Sequence, residues 1–260
     1  MQATVGAVAD RVLALYKSTP PDRRVLVGIA GVPGSGKSTL AYPLVDRLNF
    51  LLSGKVEPTT AIDSEGVIAV TGTPSAAQQI AVAVGLDGWH HTREALTGFP
   101  DPAEAQRRRG AAFTFDAAAY VAFVRSLRSQ PFLDTLPFPN FDHALKDPTP
   151  SPVPILPTHH IVVIEGLYTL LDVAPWTEAV EKLDERIWVE ADRKVARRRL
   201  VARHLQTRVE TELGAAESRV DLSDMLNGEY IREHLFKPTL RISSQEDPSF
   251  AAAAQAVQSK

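Results

Sequence analysis

The sequence predicts an α/β protein built on a mostly parallel, five-stranded sheet with helices on both faces. Three observations carry this. Short apolar runs alternate with helical patterns along the chain, as expected when a parallel sheet is covered on both sides. A complete phosphate-binding motif, Gly31-Val-Pro-Gly-Ser-Gly-Lys37-Ser38, joins the first run to the first helix that follows it. Asp87 and Glu165 each follow another apolar run and precede a glycine. Ligands of open α/β sheets sit beyond the carboxyl ends of the strands, so both acids are expected to face the phosphate site.

The elements follow in order. Residues 5–17, VGAVADRVLALYK, are amphipathic and contain Asp10. With Met1 included they resemble neither a secretory signal nor a transit peptide. Residues 24–30, RVLVGIA, read as a buried strand. Residues 39–48 have helical apolar spacing, weakened by Pro43. Residues 53–79 mix polar, glycine and proline residues and read as a connection, with GVIAVT at 66–71 a candidate extra strand. The second main strand lies within 78–91, QQIAVAVGLDGWHH, and is expected to end at Asp87. A helix is expected over 115–129. Residues 131–157 are proline-rich, and prolines disfavour regular elements there. The third strand falls within 159–168 and ends at Glu165, the fourth within 184–192 and the fifth within 239–244. An arginine-rich helix is expected over 193–206 and a frayed terminal helix over 250–260.

Composition narrows the classes. The chain has 260 residues, 44% hydrophobic and 23% charged, which suits one globular domain with a real core. A net charge of −3 gives no reason to expect nucleic-acid or membrane binding. There are no cysteines, so disulfides and thiolate zinc sites are excluded and a reducing, cytoplasmic setting is expected. No apolar stretch is long enough to span a membrane.

The motif residues specify a chemistry. Gly31, Gly34 and Gly36 let the backbone turn so that several N–H groups face one anion. Lys37 can reach the β- and γ-phosphates of a nucleotide, and the Ser38 hydroxyl can bind Mg²⁺. A carboxylate at Asp87 or Glu165 can accept a proton from an attacking hydroxyl or orient the metal. On the arginine-rich helix, Arg199 and Arg203 are four residues apart and share a face. Guanidinium groups there can stabilise charge on a phosphoryl group in transfer.

Taken together, the phosphate loop, the strand-Asp-Gly-aromatic and strand-Glu-Gly segments and the arginine-rich helix resemble the uridine kinase, phosphoribulokinase and pantothenate kinase group of P-loop kinases. The likeness runs over residues 25–244. LDGWHHTREAL is similar to the stretch after that group's second strand. RRRGAAFTFDAAAYVAFVRSLR resembles the segment that opens the next helix. PFPNFDHALKDP resembles the substrate-contacting loop, and VVIEGLYTLLD and RRLVARHL the Glu-Gly strand and the lid. The nearest likeness is to bacterial and fungal uridine-kinase-like proteins of uncertain substrate.

The resemblance implies roles. Gly31, Gly34, Ser35, Gly36, Lys37, Ser38 and Thr39 would bind ATP and Mg²⁺. Asp87 would be the general base, with Gly88 leaving room for substrate. Glu165 would support the metal, and Arg199 and Arg203 would be lid arginines. Trp89, His90, His91, Phe115, Phe141, Asp142, His143 and Tyr168 would line the acceptor pocket.

Two features depart from the group. Asp87 follows Lys37 by 50 residues, longer than the group's usual connection, so an insertion is expected within 53–79. Phe141-Asp142 stands where uridine kinases show Tyr-Asp. The expected activity is ATP-dependent phosphorylation of a hydroxyl group on a small molecule: a nucleoside, a sugar or a pantothenate-like alcohol. The alternative is an ATP-hydrolysing switch or assembly factor that acts through a protein partner. A GTPase is disfavoured, since no Asn-Lys-x-Asp guanine-reading motif is present.

Overall fold

The computed structural model describes residues 2–53, 59–62, 68–71, 79–129, 134–142 and 144–244. Its centre is a five-stranded sheet of β1 (Val25–Gly31), β4 (Ala81–Gly85), β7 (Ile161–Glu165), β8 (Glu185–Glu190) and β9 (Leu240–Ser243). The order across the sheet is β4-β7-β1-β8-β9, and all four pairings are parallel. The chain leaves β1 toward one side and later fills the other. β1 is therefore the topological switch point, where open α/β sheets bind ligands.

Burial on both faces explains why the strands read as continuous apolar runs. Along β1, Val25, Val27 and Ile29 enter one core cluster, while Leu26 and Ala30 enter the other. β7 repeats the alternation, with Ile161 and Val163 on the first face and Val162 and Ile164 on the second. Helices α1 (Gln2–Ser18) and α2 (Lys37–Ser53) cover the first face. Helices α5 (Ala117–Leu127) and α6 (Trp176–Glu181) cover the second. α2 continues through Pro43. The buried stripe of Leu40, Ala41, Leu44, Val45 and Leu48 holds it, because tertiary packing outweighs a local propensity cost.

The arginine-rich helix, α7 (Arg193–Gln206), has the expected bounds and is capped by Asp192, which accepts from Lys194 and Val195 N–H. It packs with α8 (Leu213–Arg219) and a π-helical segment, Val220–Asp224, that leads into α9 (Met225–Glu233). Their small cluster of Leu200, Val201, Ala216, Val220 and Met225 is separate from the two cores.

Two expectations are revised, and a third is met. β4 ends at Gly85 rather than Asp87, which falls in the 3-10 turn Leu86–Trp89. The proline-rich segment contains a hairpin of β5 (Pro139–Asp142) and β6 (Asp147–Pro150). Each of its strands pairs on one edge only, so a proline lacking an N–H is tolerated. The candidate extra strand is β3 (Ile68–Thr71), antiparallel to β2 (Thr59–Ile62). Short helices α3 (Arg93–Leu96) and α4 (Pro102–Arg107) lie between β4 and α5. The helix expected over 250–260 lies outside the described residues.

One buried side chain fixes where β4 begins. Asn49 Oδ1 accepts from Ile80 N–H at 2.9 Å and from Ala81 N–H at 2.8 Å, and Asn49 Nδ2 donates to Ala81 O at 2.9 Å. Substituting Asn49→Ala strands these buried groups and should cost roughly 2–4 kcal/mol. Urea unfolding of the variant beside the parent measures that loss.

Candidate active site

The parallel register brings the site together before any side chain is considered. Gly85 and Ile29 both align with Glu165, and Gly31 aligns with Val189. The ends of β4, β7 and β1 thus form one edge, and the phosphate loop rises from it. Gly34 and Gly36 adopt φ of 75° and 91°, a region costly for other residues. A Cβ on Gly31 would stand 2.5 Å from Val189 O, and one on Gly34 would stand 2.7 Å from Ala196 O. The loop is clamped between β8 and α7.

Lys37 opens α2 and folds back over the loop, donating from Nζ to Gly31 O at 2.9 Å and to Val32 O at 3.2 Å. Burial pushes its ammonium below the ordinary lysine range, while Glu165 and Asp87 draw it back up. Glu165 is raised above the usual carboxylate range, first by burial and then by Asp87, with Lys37 and Ser38 opposing. Ser38 Oγ donates to Glu165 Oε1 at 3.2 Å. Lys37, Ser38, Asp87 and Glu165 therefore form one electrostatic unit. Thr39 is exposed beside it, and the Ser35 hydroxyl is buried without a hydrogen-bond partner among the described residues.

The turn that carries Asp87 is held from below. Its carbonyl accepts from His90 N–H at 3.2 Å, with His90 Nδ1 2.8 Å away. Gly88 is where the structure corrects the expected role. A Cβ there would lie 2.1 Å from Pro139 O, so the missing side chain makes room for the β5 backbone, not for a substrate. Gly166 plays the matching part after β7, where a Cβ would meet Leu86 Cβ at 2.3 Å.

Arg199 reaches the same edge from α7, donating to Ser244 Oγ at 2.8 Å and to Gly34 O at 3.3 Å. Arg203 is exposed and near enough to Lys37 to lower its proton affinity. Beside the loop, Ser35, Gly36, Leu40, Val189, Ile242 and Ser244 line a small, shallow cleft of about 30 Å³.

The acceptor-side residues separate into groups. Trp89, Phe115 and Tyr168 belong to the core. Trp89 packs on Tyr120 and Phe123, and the Tyr168 hydroxyl donates to Gly110 O at 3.0 Å. Their apolar spacing could not distinguish wall from interior. His90 is half-buried between Phe115 and Phe141, with ring centroids at 3.9 and 5.1 Å, and burial lowers its proton affinity. His91 stacks edge-on against Phe99. Asp142 Oδ1 accepts from Ala144 and Leu145 N–H and shapes the hairpin turn. His143 lies outside the described residues.

Sequence reading missed Tyr42. Its hydroxyl lies 4.0 Å from where a Gly85 Cβ would be, and the Asp87 and Glu165 carboxylates, after burial, raise its pKa. One signal was available: Tyr42 is one helical turn beyond Ser38. Asp224, whose charge also reaches Lys37, carried no local motif.

A phosphate loop at the switch point of a parallel sheet, with strand-end acids and an arginine-bearing helix against it, defines a P-loop nucleotide-site protein. No family model matches the chain. Individual relatives do. Over 148 residues it is 42% identical to the ATP-dependent kinase-like protein notR' of Aspergillus versicolor, covering 56% of this chain and 86% of that protein. Over 218 residues it is 30% identical to a Schizosaccharomyces pombe protein provisionally named a uridine kinase, covering 84% and 82%. A solved structure from Silicibacter sp. TM1040, provisionally titled a fructose transport system kinase, superposes with a TM-score of 0.71 at 26% identity, covering 92% and 98%. The chain belongs to the uridine kinase-like group of P-loop kinases.

The packing of Gly88 gives a direct check. Gly88→Ala drives a methyl into the Pro139 carbonyl and should destabilise the protein by about 1–3 kcal/mol. Gly214→Ala, whose methyl would meet nothing within 4 Å, should leave the melting temperature unchanged or higher. Thermal unfolding of the two variants side by side reads the contrast.

Proposed function

We propose that this protein transfers the γ-phosphoryl group of ATP to a hydroxyl group of a small molecule: a nucleoside, a sugar or a pantothenate-like alcohol. The observation that carries the reading is the convergence of Lys37, Ser38, Asp87 and Glu165 on the carboxyl edge of one sheet, with two arginines above them. Phosphoryl transfer asks little of a protein beyond positioning and charge stabilisation, and these residues supply both.

The N–H groups of residues 31–37 would cradle the phosphates. Lys37 would exchange its two carbonyl contacts for phosphate oxygens, and Ser35 and Thr39 would add hydroxyls. The rest of the nucleotide would extend over the surface past Gly36 and Ser244. Ser38 and Glu165 offer hard oxygen donors, and no cluster of three or more His, Asp or Glu side chains suited to a metal occurs among the described residues. Mg²⁺ bound through one or two side-chain oxygens and the substrate phosphates fits that donor set. Once bound, it would neutralise charge on the β- and γ-oxygens.

Asp87 would take the proton of the acceptor hydroxyl as its oxygen attacks the γ-phosphorus and the bond to the bridging oxygen breaks. Arg199 and Arg203 would close over the equatorial oxygens, α7 acting as a lid. His90 and Phe141 would border the acceptor, with Tyr42 opposite.

Two substitutions test the reading. Lys37→Ala should lower ATP turnover by at least about 10²–10³-fold, the loss typical of one positioned charge or donor. Asp87→Asn should keep ATP affinity while acceptor phosphorylation falls about 10²–10⁴-fold. Measured on the same folded preparations, unchanged turnover in the first variant would reject the nucleotide site. Near-normal phosphorylation in the second would reject Asp87 as the base.

A further inference from the structure

Gly85 is a glycine that neither its backbone nor its packing requires. Its φ of −84° and ψ of 123° suit any residue. Other glycines in and after the strands are closed in by their neighbours. A Cβ on Gly28, Gly31, Gly88 or Gly166 would come within 2.1 to 2.5 Å of a side chain or carbonyl. A Cβ on Gly85 would have one atom within 4 Å among the described residues, the Tyr42 hydroxyl oxygen at 4.0 Å. Space is thus left open above the end of β4, with a phenol hydroxyl on its far side.

Alternation along the strands shows which face this is. Ala81 and the partly buried Ala83 pack in the core beneath α1 and α2, as do Ile161 and Val163 of β7. Two residues on, Gly85 and Glu165 share that face, and the register sets them side by side. Helix α2 runs past both. Ser38, in its first turn, donates to Glu165, and Tyr42, one turn further, stands over Gly85. Tyr42 is 51% exposed, and its hydroxyl makes no hydrogen bond among the described residues. Burial, then the charges of Glu165 and Asp87, raise its pKa above the ordinary phenol value. It therefore stays protonated, a donor facing the same edge as the two acids.

We infer that the acceptor enters over Gly85, and that Tyr42 is a specificity residue that donates a hydrogen bond to an oxygen next to the hydroxyl that is phosphorylated. The inference rests on the kinase reading above and narrows its acceptors to polyols, sugars and other compounds with a second oxygen close to the reacting one. Asp87 would take the proton of the reacting hydroxyl, and a donor aimed at that same oxygen would oppose its attack. Tyr42 keeps its own proton and holds the neighbouring oxygen. Two carboxylates on this edge disfavour an anion beside them, so the part of the acceptor that lies here is neutral.

Two variants test the site. Gly85→Ala fills the space with one methyl that meets nothing in the described protein closer than 4.0 Å, so its melting temperature should equal or exceed the parent's. Tyr42→Phe removes the donor and keeps the ring. The full chain and both variants are titrated calorimetrically with ribose, fructose, uridine and pantothenate in the presence of Mg²⁺ and a non-hydrolysable ATP analogue. Phosphoester formation is followed in parallel with ATP. At least one compound should bind the parent. Gly85→Ala should weaken that compound about tenfold or more, as a misplaced methyl does. Tyr42→Phe should weaken it about two- to tenfold, the range one neutral hydrogen bond carries. Where phosphoester forms, the Tyr42→Phe loss should fall on KM and leave kcat unchanged. Both variants should bind the analogue as the parent does, which also reports that they are folded.

Parental affinity for the compound in either variant, or no binding by any of the four, overturns the inference. So does a loss shared by the analogue, which would assign the space to the nucleotide. A Tyr42→Phe loss confined to kcat, or relieved by more Mg²⁺, overturns it too and assigns the hydroxyl to the reacting oxygen or the metal. Binding that depends on Gly85 and Tyr42 without a phosphoester product upholds the site and rejects the kinase reading. Phosphoester formed by both variants at the parental KM does the reverse.

Discussion

The Lys37 ammonium and the Glu165 carboxylate meet half-buried at the carboxyl edge of the sheet, beside the exposed carboxylate of Asp87. Lys37 is pushed toward neutrality by desolvation and restored by Glu165 and Asp87, and Glu165 is pushed toward protonation by burial and by Asp87. The remaining architecture serves to hold this set in place. The register aligns Gly85, Glu165 and Ile29. Asn49 pins the start of β4, and Gly88 and Gly166 let neighbouring backbone and side chains close against the two strand ends.

The fold divides labour between its two sides. The β8 and β9 side belongs to the loop: Val189 packs against Gly31, Ala196 of α7 against Gly34, and Ser244 holds Arg199. On the β4 and β7 side, the 3-10 turn that carries Asp87 packs through Gly88 against Pro139 of the β5–β6 hairpin. Arg199 is anchored to loop backbone through Gly34 O.

Much of this was legible in the sequence, for physical reasons. Strands buried on both faces must be apolar throughout, so β1, β4, β7 and β8 announced themselves. The phosphate loop needs glycine and lysine at fixed spacing, and strand-end acids stand out against apolar neighbours. The acceptor side was harder to read. Trp89, Phe115 and Tyr168 are core residues, yet an aromatic ring has the same composition in a wall and in an interior. Gly88 proved to serve packing, because a glycine does not reveal which neighbour needs its space. Proline density hid the β5–β6 hairpin, since only pairing on a single edge makes those prolines acceptable. Tyr42 is marked only by its place one helical turn beyond Ser38, and Asp224 acquires meaning only from its charge reaching a distant segment. The relatives fix the group to which the chain belongs and leave the acceptor to this chemistry.

The central claim is that the terminal phosphate of ATP passes to an acceptor hydroxyl and not to water. Phosphorus-31 NMR follows that phosphate directly. With ATP, Mg²⁺, the full chain and a panel of hydroxy compounds, the account predicts a new phosphoester resonance that grows as the γ-phosphate resonance declines. It also predicts that the Asp87→Asn protein produces no such resonance. Consumption of ATP into inorganic phosphate alone, at a rate indifferent to every hydroxy compound, would contradict it.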